Sequence, residues 1–482
     1  PTAFGACADC HAPGIDGVLG GRNLNEAVGL AYDKGVHCDV CHKVADIDMT
    51  KPPGVGQRLV MGRPSEPGRN VFIWDPVYYG PLIDVPNPAM GGSYQPKFNQ
   101  AVFCAGCHEQ NQEALIPGET LETDKFPDGL PVHTTYSEWL NGPYNSEATP
   151  CQFCHMPETH GVANSTNMGT RENQSITFGF ERHPSDIRQH IFRGPLDGNP
   201  RLIDKSLYVS VKLEQLDTSL AATVSVANIG CGHAIPTGEP MRALVMVVEA
   251  QGDACGALSA TSGMTVPATG GHHAMAVVGE SLSVDGAALT FAQSVSVEPG
   301  MVTRVVRPTG TYDDYNGIGY FDSTDLSAEE KGMEILNFVD EANVVSLDGG
   351  LVTLDKAIAT EPGDIVYVGD LWTGDEQDGD NSKNLAGLTG YSFAKVLADS
   401  AGNQEVPHYK AVDIVRDNRI APGTNSLTQH VFELPEGCST GEVRATVMYR
   451  PRPLSQSTLR GWDAKDYIIA SGVARYGDAP EQ

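Results

Sequence analysis

The chain has 482 residues, 40% of them hydrophobic, which excludes a disordered or collagen-like chain and leaves room for about three domains of ~150 residues. Lys plus Arg number 32 against 61 Asp plus Glu, and the net charge of −29 excludes nucleic acid and anionic membrane surfaces as partners. The longest apolar run, Ala243 to Val248, falls far short of the ~20 residues of a membrane helix, so no membrane span is expected.

No signal-peptide pattern follows Pro1, and a processed form is the expectation. Eight of the 11 Cys then fall into four Cys-x-x-Cys-His units. In chain order they are Cys7, Cys10 and His11; Cys38, Cys41 and His42; Cys104, Cys107 and His108; and Cys151, Cys154 and His155. Two thiols at this spacing reach the two vinyl groups of one haem, and the following His supplies an axial nitrogen. Zinc knuckles would not require the His each time, and a thioredoxin-type disulfide motif would occur once. Four covalent haem c groups are therefore expected. Haem c is attached outside the cytoplasm, so the compartment is periplasmic or extracellular.

Between the motifs, two stretches read as helical: Asn25 to Tyr32, and the Tyr136–Leu140 turn before Cys151. The rest is rich in Gly, Pro, Asn and Tyr. Residues 1–203 are thus expected to form a haem-packed, mostly irregular and short-helix domain without an ordinary side-chain core. Phe72, Trp74, Tyr78, Tyr79, Phe103 and Trp139 are its candidate packing aromatics.

Four irons need four further ligands if all are six-coordinate. The chain holds 14 His, and ten remain after the four proximal ones. His37 directly precedes Cys38 and would lie near a second haem if haems stack closely. His190 follows the last motif in Arg-Gln-His-Ile-Phe-Arg-Gly. His233 sits in a Gly- and Pro-bounded loop between two expected strands. His133, His160 and His183 compete for the remaining position. Met90 and Met156 are alternatives, but the supply of His favours low-potential, bis-His haems. A ligand from another subunit remains open.

Beyond Leu202 the pattern turns to apolar–polar alternation, the period of half-buried strands. Strands are expected at 207–213, 220–228, 243–249, 274–278, 294–297, 302–306, 364–368, 409–415, 426–434 and 443–449. Residues 204–482 therefore read as an all-β, Ig-like sandwich region with room for two subdomains. Ser327-Ala-Glu-Glu330 reads as a capping box that opens a helical insertion over 327–339. Of the three remaining Cys, Cys255 and Cys438 are the expected disulfide and Cys231 stays free. Asp375-Glu-Gln-Asp378-Gly-Asp380 offers spaced oxygens compatible with Ca²⁺, against the plainer reading of a solvated acidic loop. Asn164 and Asn173 head glycosylation-type sequons. His272, His273, His408 and His430 show no ligand spacing.

Several segments together resemble the cytochrome c-554 family and related multihaem cytochromes. They are His37-Cys-Asp-Val-Cys-His-Lys43, Phe103-Cys-Ala-Gly-Cys-His-Glu109, Tyr136-Ser-Glu-Trp139 and Cys151-Gln-Phe-Cys-His-Met-Pro157. Arg188-Gln-His-Ile-Phe-Arg-Gly194 is similar to a segment such proteins place after the last haem. Gly232-His-Ala-Ile-Pro-Thr-Gly238 and Asp417-Asn-Arg-Ile-Ala-Pro-Gly423 resemble marks of the Ig-like module of some members. The chain departs from some relatives in having no His between Pro88 and Gln100.

The resemblance implies closely packed haem pairs, bis-His ligation and electron transfer. Tetrahaem relatives include extracellular filament, or nanowire, proteins, so other copies of this chain are expected partners. Redox proteins or extracellular electron acceptors are the others. A soluble periplasmic carrier is the alternative, then a nitrogen-compound oxidoreductase with one open haem. Residues 205–482 show no catalytic triad or phosphate loop, and an enzyme is not expected.

Overall fold

The computed structural model describes residues 3–15, 22–62, 76–83, 91–146, 148–159, 187–268, 274–312 and 334–477. It divides into two compact units, Pro1–Gly118 with Phe126–Leu202, and Glu119–Lys125 with Ile203–Gln482.

Among its described residues the first unit carries six short helices: α1 (Ala3–His11), α2 (Leu30–Lys34), α3 (Cys38–Cys41), α4 (Val102–Ala105), α5 (Thr135–Leu140) and α6 (Cys151–His155). Between them run three strand pairs. β1 (Val44–Ile47) and β2 (Leu59–Met61) are antiparallel, as are β5 (Gln110–Gln112) and β6 (Leu130–His133). β3 (Tyr78–Gly80) and β4 (Gly92–Tyr94) are parallel. The helix expected over 25–32 is split into a 3₁₀ turn at Leu24–Glu26 and α2. Gly29, at φ 58°, breaks it, because a left-handed residue cannot continue a right-handed helix.

This unit corrects the expected domain of irregular chain without its own core. Val40, Val44, Ile47, Val55, Leu59 and Met61 bury together, with Val102, Phe103 and Cys107 packed against them. In β1 and β2 the first and last residues are the buried ones, which turns Val44, Ile47, Leu59 and Met61 inward. The core abuts the third Cys-x-x-Cys unit at Gly106, where an added Cβ would lie 2.3 Å from Leu59.

In the second unit the chain first lays down β7 (Leu207–Gln215), β8 (Ser219–Asn228), β9 (Ala243–Gly252), β10 (Gly256–Ala257) and β11 (Ala260–Gly263). It continues through β12 (Met275–Val277), β13 (Leu282–Asp285), β14 (Ala288–Phe291), β15 (Val302–Tyr312), β16 (Glu334–Asp348), β17 (Leu351–Leu354) and β18 (Ile365–Gly369). It closes with β19 (Asp380–Asn381), β20 (Gly390–Ala398), β21 (Asp413–Asp417), β22 (Asn425–Glu433), β23 (Gly441–Arg450), helix α7 (Leu454–Arg460) and β24 (Lys465–Tyr476).

The strand order β19-β24-β23-β9-β20-β21, with β10 on β9, makes one sheet, and β11-β22-β8-β7 makes a second. They meet where β7 lies against β24, and a Cβ on Gly472 would sit 2.8 Å from the Val209 carbonyl. The third sheet runs β12-β18-β15-β16-β17-β14-β13. β16 pairs β15 along its first part and β17 along its last, so one long strand serves both halves around a shared core that includes Leu289, Val305, Val344, Val352 and Val366. A sandwich is present, but a single Ig-like sandwich does not describe the region.

Among the described residues the chain is mostly strand, with twenty-four strands and seven α-helices, the longest of nine residues. The expected helical insertion is strand from Glu334 onward, and 327–333 lies outside the described residues. Ser294–Val297 is not a strand, and the strand expected at 409–415 begins only at Asp413. Cys255 and Cys438 form the disulfide, with Cα atoms 5.9 Å apart.

Candidate functional site

Each Cys-x-x-Cys-His unit sits on or directly after one helical turn. Residues at i, i+3 and i+4 of a helix share one face, so the turn presents both thiols and the imidazole together. The backbone closes these turns: His42 N donates to Cys38 O at 3.0 Å, and His108 N donates to Cys104 O at 2.9 Å. The first unit ends α1 and the fourth is α6 itself.

Two of the motif His rings are oriented by backbone carbonyls. His42 Nδ1 lies 2.8 Å from Tyr79 O, and His155 Nδ1 lies 2.6 Å from Arg193 O. A carbonyl only accepts, so each Nδ1 carries the proton and the Nε2 lone pair remains for a metal. Arg193 N also donates to His155 O at 2.9 Å, so this stretch grips the fourth unit from both sides.

The same stretch carries His190. Its ring centre lies 6.3 Å from that of His42, with 37° between the planes. A metal–imidazole bond is about 2 Å and each nitrogen lies about 1 Å from its ring centre, so one metal between two such rings sets the centres about 6 Å apart. The spacing fits. Phe98 stacks on His42 at 5.2 Å and packs on Phe103 at 4.4 Å.

The thiols of different units also approach one another. Cys107 hydrogen-bonds Cys10, and Cys104 hydrogen-bonds Cys151. These bonds, and then burial, push the Cys104 and Cys107 thiols well above the ordinary range. Burial pushes Cys7 and Cys41 up as well. The same bond from Cys107 pulls the Cys10 thiol down. Arg58 clasps the third unit by donating to the carbonyls of Ala105 and Glu109.

The other expected ligands fall as follows. His37 is half-buried against Gly14, where a Cβ would stand 2.5 Å from its Nε2, so the ring packs closely on that glycine three residues past His11. His133 ends β6 and pairs with Gln110, two residues beyond His108. His233 belongs to the second unit, where its Nδ1 lies 3.1 Å from Cys231 Sγ and 2.9 Å from Ala234 O. His160, His183, Met90, Phe72, Trp74, Asn164, Asn173, His272 and His273 lie outside the described residues.

The two expected marks of the β module converge. Ile235 and Ile420 form a bridge, and Arg419 donates to Pro236 O at 3.4 Å. The acidic loop does not gather a Ca²⁺ site: Asp375, Glu376, Asp378 and Asp380 bring no three carboxylates within 4.8 Å of one another. Glu376 instead pairs with Lys383 at 2.6 Å, and Asp380 accepts from Gln377 N at 2.6 Å.

Phe98 and Arg58 carried no sequence signal, while Tyr79 is expected only as a packing aromatic and Arg193 only as part of the Arg188–Gly194 segment. Tyr79 and Arg193 act through main-chain oxygens, which every residue possesses, and only the fold selects them.

No protein-family model and no curated protein matches the chain. Among solved structures it is similar to a penta-heme cytochrome c552 from Thermochromatium tepidum, at 16% identity over 98% of this chain and 84% of that one, with a TM-score of 0.48. A second likeness is to Clostridium perfringens delta-toxin, at 10% identity over 56% of this chain and 87% of that one, with a TM-score of 0.09.

Proposed function

We propose that the chain is an electron-transfer protein holding four haem c groups on its Cys-x-x-Cys-His units, outside the cytoplasm. The observation that carries this reading is the His42–His190 spacing of 6.3 Å, with His42 Nδ1 committed to Tyr79 O. The four units would supply the thioether sulfurs and proximal nitrogens. His42 and His190 would together hold one haem iron, and His37, His133, His160 and His233 are the candidates for the other three.

Haem c, when bound, supplies a one-electron iron couple. The residues around it hold and shield it. Exposed apolar side chains stand beside the units: Val36 before Cys38, Phe153 between Cys151 and Cys154, and Ile191 and Phe192 after His190. A flat apolar ring laid on them would remove that surface from water. Carbonyl-held imidazoles raise ligand basicity and, with bis-His ligation, favour low potentials.

For assembly we propose a filament of identical subunits, supported by the resemblance to tetrahaem filament proteins. Negative-stain microscopy of protein from its native source tests it: polymers are expected, and only monodisperse small particles would replace it with a soluble carrier. The electron-transfer reading is tested by electron paramagnetic resonance of the ferric protein. Purely low-spin signals are expected; a high-spin signal with cyanide or nitrite binding would replace the carrier with an enzyme.

A further inference from the structure

In the second unit a cavity of about 140 Å³ opens beside helix α7, lined by Pro451, Arg452, Ser457, Asp463, Lys465 and Tyr467. It is large enough for about four waters at ~30 Å³ each, or for one small oxyanion. Ser457 is 1% exposed, and its hydroxyl has no hydrogen-bond partner. A helical Ser ordinarily satisfies itself on the carbonyl four residues back. Ser457 does not, and a buried polar atom left this way calls for an occupant.

The charge of the wall says what kind. Arg452 and Lys465 face one carboxylate, Asp463, and Lys465 has no ion-pair partner among the described residues. Arg450 nearby is already neutralised by Asp466 at 2.7 Å and contributes nothing to this balance. The lining is therefore net positive on a chain of net charge −29, whose overall field repels anions. Arg452 is also held in place. α7 ends at Gly461, at φ 63°, and Trp462 N donates back to Ser457 O at 2.9 Å. The Trp462 ring that follows that turn has Arg452 and Arg460 each 5.0 Å from its centre, and stacking on the ring limits how Arg452 can swing.

We propose that this cavity binds a small oxyanion, a phosphate or carboxylate group, through the Arg452 guanidinium, the Lys465 ammonium and the Ser457 hydroxyl. Fork-shaped donors from Arg suit either group. The test is calorimetric titration of the full haem-loaded chain at constant ionic strength, with inorganic phosphate in one arm and acetate in the other. Saturable one-to-one binding is expected in at least one arm, and the arm identifies the source. Arg452→Gln and Lys465→Gln should each weaken it about tenfold. Ser457→Ala should weaken it several-fold while leaving the fold intact, since the hydroxyl it removes bonds nothing. Absence of binding in both arms overturns the proposal, as does affinity unchanged in all three variants or glucose binding equally well.

Discussion

His190 and His42 test the site at the scale of single residues. His190→Ala should convert one low-spin haem into a high-spin one and leave the covalent attachment of all four intact, read by electron paramagnetic resonance and by mass. An unchanged low-spin spectrum would show that His190 is not an axial ligand. A second residue speaks to stability. His430 is fully buried, with Thr428 Oγ1 2.9 Å from its Nε2, and burial pushes its pKa down to about 4. An unfolded His ordinarily titrates near 6.5, so below that pH the unfolded chain binds a proton that the folded one refuses. Stability should therefore fall as pH drops from about 6.5 to about 4, by about 3 kcal/mol in full. His430→Gln should remove that part of the slope in urea unfolding curves. An equal slope in the variant would place the proton uptake elsewhere. The motif cysteines are legible in the sequence because the Cys-x-x-Cys-His spacing that suits haem attachment recurs four times. The carbonyls of Tyr79 and Arg193 are not, because any residue could supply them.

At the scale of elements, alternation located β7, β8 and β22, and short apolar runs located β9, β15, β18 and β23, with β15 running six residues beyond the expected stretch. This reading missed β20, where the buried Ser392 and Lys395 interrupt the apolar run. β20 is buried along its whole length, and its Lys395 is offset by Asp417 at 3.6 Å, so no polar face announces it. The first residues of β16, 334–339, fall in the stretch expected to be helical after the Ser327–Glu330 capping box; pairing with β15 decides otherwise, as tertiary context overrides local pattern. The β23–β24 ladder depends on a buried ion pair. Arg450 grips Asp466 with two bonds, at 2.9 and 2.7 Å, and Asp466 also accepts from Ser382 Oγ at 2.6 Å. Asp466→Ala strands the guanidinium and should cost about 3–5 kcal/mol in urea unfolding. Adding Arg450→Met should recover part of the loss. No recovery would mean that Asp466 matters for something other than its pairing with Arg450.

For the whole molecule, the two ends of a 183-residue stretch are joined by Cys255 and Cys438. Replacing both with Ser should lower stability by about 2–4 kcal/mol. Equal urea midpoints for the variant and the parent would assign the linkage no role in stability. The surplus of acid bears on assembly too, since a net charge of −29 repels other copies unless salt screens it or contacts neutralise it locally. Polymers should therefore lengthen as ionic strength rises, and dissociation by added salt would contradict that. The central claim is that the four Cys-x-x-Cys-His units carry haem, and intact-mass spectrometry of denatured, reduced and alkylated native protein tests it directly. The account predicts the sequence mass plus four haem groups, with alkylation confined to Cys231, Cys255 and Cys438. A mass without haem and with all 11 cysteines alkylated would contradict it.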